Sequence, residues 1–335
     1  MSAADLTLGD WGFGGASLGN LYKPVSDETA EATVEACWEM GVRWFDTAPH
    51  YGFGLSERRL GDLLRGKPRE SFVLSTKVGR LMRPIAAASD RFGFCSPMPF
   101  EGVFDYSYDG VMRSFEDSLQ RLGLSRIDVL LMHDIGATCH GAAAPGLFDI
   151  AMEGGYRAME RLRREGVVRA IGLGVNETAV CRAALGRGDW DLFLIAGRYT
   201  LLNQADEAGF FEVAHAAGVK VAVAGIYNSG ILATGARDAA GAYYDYEQAP
   251  RPVVERVRRI EAVCERHATP LPAAALQFAR AHPAADAVLI GIASPQQARH
   301  TAALAAYPIP SDLWDDLRAE GLIPQHAPTP PRTPQ

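Results

Sequence analysis

The forty residues Gly41–Arg80, GVRWFDTAPHYGFGLSERRLGDLLRGKPRESFVLSTKVGR, decide the fold. A short run of β-type residues, Val42–Phe45, ends in a carboxylate, Asp46. Tyr51 follows beyond a proline, inside a glycine-bounded loop. A polar helix is expected from about Ser56, and a second β-type run, Phe72–Thr76, ends in Lys77. An acid, a phenol and an amine thus sit at or just beyond the ends of successive strands. In a parallel barrel those ends face one shared crater, so the three side chains can meet. Their chemistry suits proton transfer to or from an alcohol or carbonyl oxygen: a lysine beside a tyrosine favours the phenolate, and a carboxylate holds the lysine charged. Taken singly, each residue is ordinary. Aspartate often ends a strand, a tyrosine in a glycine-rich loop is often part of a lid, and a strand-end lysine is often solvated.

Outward from this stretch the same alternation repeats. Trp11–Ala16 reads as a first strand. Thr29–Met40 has helical spacing and is stopped by Gly41. Arg80–Tyr106 is an aperiodic insertion with aromatics, proline and glycine, placed after the Lys77 strand and expected to wall a substrate pocket. The helix Ser107–Leu122 leads to the continuous apolar strand Ile127–Met132, which ends in His133 and Asp134. Gly136–Gly146 reads as a loop and Asp149–Glu165 as a helix. Further strands are expected at Val168–Leu173, Leu192–Ile195, Val219–Ala224 and Ala287–Ile290, with helices between them. Eight strands alternating with helices predict an α/β fold, a single-domain (β/α)8 TIM barrel over residues 1–323, with 324–335 a proline-rich tail expected to be disordered. An open doubly wound sheet is the alternative, but GFGGAS at Gly12–Ser17 lacks the G-x-G-x-x-G spacing it would want.

Composition narrows the function. The chain has 335 residues and a net charge of -7, with no basic run, which disfavours a nucleic-acid surface. No apolar run approaches a membrane span, and the N-terminus has no basic region followed by an apolar core. A cytoplasmic protein, monomeric or a small homo-oligomer, is expected. Five scattered cysteines without C-x-x-C spacing argue against a disulfide framework or a zinc site, and the histidines show no paired ligand spacing.

The stretch resembles the signature region of the aldo-keto reductases, in which an Asp, a Tyr a few residues later, a Lys and a His stand at strand ends. The matches are Asp46, Tyr51, Lys77 and His133, and the phrases FDTAPHYG and LSERRLG are highly specific. STKVGR, DYSYDGVMRSFEDSLQRLGLSRIDVLLMHDIG and AGRYTLLNQ are more narrowly similar to a sugar 1-dehydrogenase branch. That branch holds the D-threo-aldose (L-fucose) and L-galactose dehydrogenases, with pyridoxal 4-dehydrogenase close by. The resemblance implies Tyr51 as general acid/base, tuned by Lys77 and Asp46, and His133 orienting the substrate oxygen. Asp134 and His140 are candidates to line the pocket.

Redox chemistry on an alcohol needs a hydride acceptor, which no side chain supplies, so a nicotinamide cofactor is implied. Barrels commonly hold phosphate in the loops after strands seven and eight. Here these are GIYNSG, with Tyr227 and Ser229, and Gly291–Gln297, where Ser294 opens a helix at Pro295. Ser294 also reads simply as an N-cap. The resemblance assigns Asn176 to the nicotinamide carboxamide and brings Tyr199 into the cofactor set. In two places the chain departs from the family: a glutamine is replaced by Ala196, and a stacking aromatic by Ala224 or Gly225, with Tyr227 a substitute. Gln297 stands where an arginine would favour a 2′-phosphate, with only Arg299 nearby, so NAD is expected over NADP.

These readings together point to oxidation of the anomeric hydroxyl of an aldose of the L-fucose, L-galactose or D-arabinose type to its lactone. Pyridoxal oxidation to 4-pyridoxolactone, or general aldehyde and ketone reduction, is the alternative. Two readings of other classes are a Schiff-base aldolase acting through Lys77 and a non-catalytic nucleotide-sensing subunit.

Overall fold

The structure, a computed structural model, describes residues 6–9, 11–87, 89–204, 208–237 and 241–331. Among the described residues there are twelve strands: β1 Trp11–Gly14, β2 Trp44–Asp46, β3 Val73–Val78, β4 Arg80–Pro84, β5 Phe100–Phe104, β6 Val129–His133, β7 Ala170–Val175, β8 Leu192–Ala196, β9 Lys220–Ala224, β10 Tyr243–Tyr244, β11 Glu247–Gln248 and β12 Ala287–Gly291. Eight of them close a parallel barrel in the order β1-β12-β9-β8-β7-β6-β3-β2. The expected (β/α)8 fold is therefore the observed one, with strand boundaries shifted by a residue or two.

Strand alternation sets out the site. Trp44, Val73, Val129 and Leu131 belong to the cluster that fills the barrel interior, together with Ala170, Leu192, Leu194 and Leu289. Their neighbours Phe45, Leu74, Leu130 and Met132 belong to the layer between strands and helices. With a period of two, Asp46 follows Trp44, Lys77 follows Val73 and Ser75, and His133 follows Leu131 on the interior side. All three stand at the C-terminal rim of the barrel. Leu6 and Leu8 pack against the interior cluster as well.

Two expectations need correction. The Arg80–Tyr106 insertion is not a plain loop: β4 and β5 pair antiparallel, Arg80 opposite Phe104 and Pro84 opposite Phe100. Gly136–Gly146 holds a short helix, Ala137–His140, and a further helix begins at Ala144. In the tail, Ala327 is buried and Arg318 donates to the Ala327 carbonyl and to Thr329 Oγ1, while residues 332–335 lie outside the described residues. Cys37, Cys181 and Cys264 are buried among apolar side chains, and all five cysteines are free thiols. Among the described residues no helix is long and apolar enough to cross a membrane, and no group of His, Cys, Asp and Glu is arranged to hold a metal ion.

Candidate active site

Lys77 Nζ donates to Asp46 Oδ2 at 2.6 Å and to the Thr47 carbonyl at 2.9 Å. Asp46 Oδ1 accepts from Ser75 Oγ at 2.7 Å, and Ser75 Oγ in turn accepts from the Trp44 indole at 3.0 Å. Every polar atom of the carboxylate thus has a partner inside a sealed barrel top, as a buried charge requires. Gly174 of β7 makes the room: a Cβ there would stand 3.1 Å from Lys77 Cε.

Tyr51 reaches the same point from the loop beyond β2. Its ring centroid is 4.6 Å from Lys77 Nζ and 6.1 Å from the His133 ring, which meets it edge-on. The loop is seated against the turn after β1. Gly52 has φ +63, and a Cβ on it would lie 2.5 Å from the Gly19 carbonyl oxygen, while a Cβ on Gly19 would lie 2.5 Å from the Tyr51 carbonyl carbon. Only glycine permits this approach. The resemblance-bearing LSERRLG segment braces it from behind. Ser56 Oγ donates to the Gly15 carbonyl at 2.7 Å, Glu57 accepts from Thr76 Oγ1 and Arg121, and Arg59 bonds Asp27 and the Leu18 and Val25 carbonyls.

The electrostatics differ from the expectation in one respect. Burial pushes the Tyr51 phenol up to about 12; the Lys77 ammonium pulls it down, but by less. Burial alone would also depress Lys77, yet the Asp46 carboxylate and Tyr51 raise it, so it stays charged. His133 is held well below its ordinary pKa by burial and by the Arg80 and Lys77 cations, and is a neutral imidazole. His50 is pushed down to about 3 by the same causes, burial first.

The insertion walls the pocket. Phe94 lies against Tyr51 and His50, and Phe92 against His50 and Phe53, with centroid separations of 5.4–6.4 Å. Beside His133 is a polar pair that sequence reading named only in part. Arg80, at the start of β4, bonds Asp134, whose Oδ2 is 3.4 Å from His133 Nε2. Arg80 lies 4.6 Å over the Phe104 ring. His140 accepts from or donates to Tyr106 Oη at 2.9 Å, and its ring meets Phe104 edge-on at 4.5 Å.

The expected cofactor residues separate into two sets. Asn176, Tyr227, Ser229, Ser294 and Gln297 follow barrel strands at the C-terminal rim, and Gly291 ends one. Tyr199 does not join them: it is enclosed by Phe211, Phe278 and His282 in the helix layer, which corrects its assignment as a cofactor contact. Ser294 caps the helix Pro295–Ala305 by accepting from Gln297 N at 3.2 Å, and Gln297 Oε1 folds back to Ala293 N at 2.7 Å. The Ser294 oxygen accepts in this cap, and its own hydroxyl remains a donor. Tyr227 Oη, Asn228 Oδ1 and His50 Nδ1 are buried without a hydrogen-bond partner. Polar atoms orphaned along one rim, with a helix start at its end, fit a nucleotide laid from the crater to the last barrel loops.

A feature that sequence reading missed crosses this rim. The hairpin β10–β11 bonds two of the expected cofactor residues: Tyr246 N donates to Ser229 Oγ at 2.9 Å, and Asn176 Nδ2 to Tyr246 Oη at 3.4 Å. Arg198 pairs with Asp245 at 2.9 Å, and the Tyr243 ring lies 5.9 Å from that of Tyr22. Two-residue strands are too short for any periodicity to show, although the YYDYEQ run is itself unusual.

The aldo/keto reductase family profile matches residues 10–320. A pyridoxal 4-dehydrogenase of Microbacterium luteolum is 44% identical over 95% of each chain. A D-threo-aldose 1-dehydrogenase of a Pseudomonas species is 39% identical over 96% of this chain and 97% of its own. In fold, an aldo-keto reductase of Bacillus halodurans in its holo form superposes with a TM-score of 0.73 at 24% identity over 96% of both chains. The chain belongs to the aldo/keto reductase family, whose members are oxidoreductases that use a nicotinamide nucleotide.

Proposed function

We propose that the protein oxidises the anomeric hydroxyl of an aldose of the L-fucose, L-galactose or D-arabinose type to the lactone, with NAD as the preferred cofactor. The observation that carries this reading is Tyr51 standing between the Lys77 ammonium and the neutral His133, beside the polar Arg80–Asp134 pair. Bound along the rim by Asn176, Ser229, Ser294 and the loop at Gly291, a nicotinamide supplies the hydride acceptor. The chain's own residues handle the proton. Tyr51 takes it from the anomeric hydroxyl, Lys77 stabilises the phenolate that does so, and His133 holds the same oxygen by a hydrogen bond. Asp46 keeps Lys77 charged and in place.

Pyridoxal is the second reading, favoured by the 44% identity and by the aromatic wall of Phe92 and Phe94. Both substrates are hydroxy-aldehydes that close to cyclic hemiacetals, so one set of residues serves either. The test is the initial rate of nicotinamide reduction with L-fucose, L-galactose, D-arabinose and pyridoxal, each with NAD+ and NADP+, with Tyr51→Phe as control. An aldose-dependent rate with NAD+ that the variant loses supports the proposal. A rate with pyridoxal alone moves the assignment to the second reading. Cofactor binding without a rate on any of the four overturns both.

A further inference from the structure

Strand alternation should send the residue after His133 to the helix side, as it does Met132. Asp134 does not follow it. Its backbone is left-handed, φ +51, a conformation that costs a non-glycine residue about 1 kcal/mol and that aspartate tolerates better than most. The turn brings its carboxylate to the crater, with Oδ2 3.4 Å from His133 Nε2 and bonded to the Arg80 guanidinium. Both side chains are largely buried, 8% exposed for Arg80 and 18% for Asp134. The guanidinium is held in turn by the face of Phe104 and lies 3.9 Å from Cys139 Sγ. Both contacts to Asp134 use Oδ2, and among the described residues no hydrogen bond reaches Oδ1.

Proton transfer at Tyr51 gives this pair no task, because Lys77 and Asp46 already supply that charge balance. What the pair adds is a fixed acceptor one residue from the imidazole that holds the reacting oxygen. A donor and an acceptor side by side match a substrate with an oxygen at the reacting carbon and a hydroxyl on the next one. We propose that Asp134, oriented by Arg80, is a specificity-determining residue that accepts a hydrogen bond from the substrate hydroxyl next to the reacting carbon. This rests on the hemiacetal-dehydrogenase reading above. It extends that reading from reaction type to the group that is recognised. A site built to bond a hydroxyl rejects analogues that lack it, because its buried polar atom is then left unpaired.

The experiment compares L-fucose with 2-deoxy-L-fucose, using wild type and Asp134→Asn, which keeps the size and tolerates the left-handed backbone. Wild type is expected to favour L-fucose by about 100-fold in kcat/KM. The variant should lose about 100-fold on L-fucose and less than threefold on the deoxy sugar, with NADH binding unchanged and a lower Tm from loss of the buried Arg80 pair, which affects both sugars alike. Equal losses on the two sugars would show that Asp134 acts only through His133 or the fold, and would overturn the proposal. So would a wild type that takes both sugars equally, whatever the variant does. If wild type oxidises only pyridoxal, whose carbon next to the reacting one carries no hydroxyl, the proposal is overturned while the hemiacetal reading stands. No rate on any of these removes the hemiacetal reading, and the proposal with it.

Discussion

Lys77 Nζ sits 2.6 Å from Asp46 Oδ2, with the two side chains 2% and 0% exposed. This pair is the electrostatic floor of the site, and the phenol of Tyr51 rests on it. Removing one partner of such a pair leaves a buried uncompensated charge. Asp46→Asn and Lys77→Met are therefore each expected to lower stability by about 3–5 kcal/mol, read by denaturant unfolding. Tyr51→Phe should leave stability nearly unchanged while reducing kcat/KM by about 10³-fold. A Tyr51→Phe enzyme retaining a tenth of wild-type activity would take the phenol out of the chemistry.

The pH profile follows from the same burial. In the proposed mechanism the active base is the phenolate, and with Tyr51 pushed up to about 12 its fraction rises tenfold per pH unit below that value. Oxidation in kcat/KM should therefore climb with a slope near one from pH 7 to 10, with no inflection from His133, which is held neutral throughout. A flat profile over that range would contradict it. Stability should move the other way. Between the ordinary tyrosine pKa of 10.0 and about 12, the unfolded chain releases a proton that the folded chain retains. The fold is then favoured fully below pH 10 and loses that contribution as pH rises to 12.

Tyr246 bonds Asn176, and its backbone bonds Ser229, so the hairpin holds two of the residues proposed to bind the nucleotide. Tyr246→Ala removes the first of these contacts. Association of NAD+, followed by stopped-flow fluorescence, should become about fivefold faster, the worth of roughly one hydrogen bond. Unchanged or slower association would mean that the hairpin does not compete for that site.

Gln297 caps its own helix by folding back on Ala293, and presents no positive charge to a 2′-phosphate. Gln297→Arg should raise kcat/KM with NADP+ at least about tenfold relative to NAD+ while costing about 1 kcal/mol of helix capping. If the cofactor ratio does not move, the adenosine lies elsewhere and Gln297 gives no support to the proposed NAD preference.

Much of this site was legible because strand alternation is a rigid rule. Once Trp44, Val73 and Leu131 are recognised as interior residues, Asp46, Lys77 and His133 follow on the same side. Sequence reading failed where backbone geometry departs from that rule, or where an element is too short to have a period. Asp134 is legible only as a pocket candidate next to His133, since it reaches the crater through a left-handed backbone that no period shows, and Arg80 is missed because the insertion is a hairpin that starts at the rim. Tyr199, also just beyond a strand end, could face either layer, and tertiary packing placed it among Phe211 and Phe278. The specific phrase LSERRLG proved to be bracing: Glu57 and Arg59 hold the helix and turn that carry Tyr51, without touching the reacting groups.

The backbone contact between Gly19 and Gly52 has a consequence for transplanting the site. Tyr51 is positioned as much by the turn after β1 as by its own loop, although the two are more than thirty residues apart in sequence. Grafting FDTAPHYG alone onto a foreign barrel would deliver the phenol without its seat. The smallest portable unit is the pair of interlocked turns, residues 14–19 with 46–54, and a side chain introduced at either glycine would displace the tyrosine while leaving the other catalytic side chains in place.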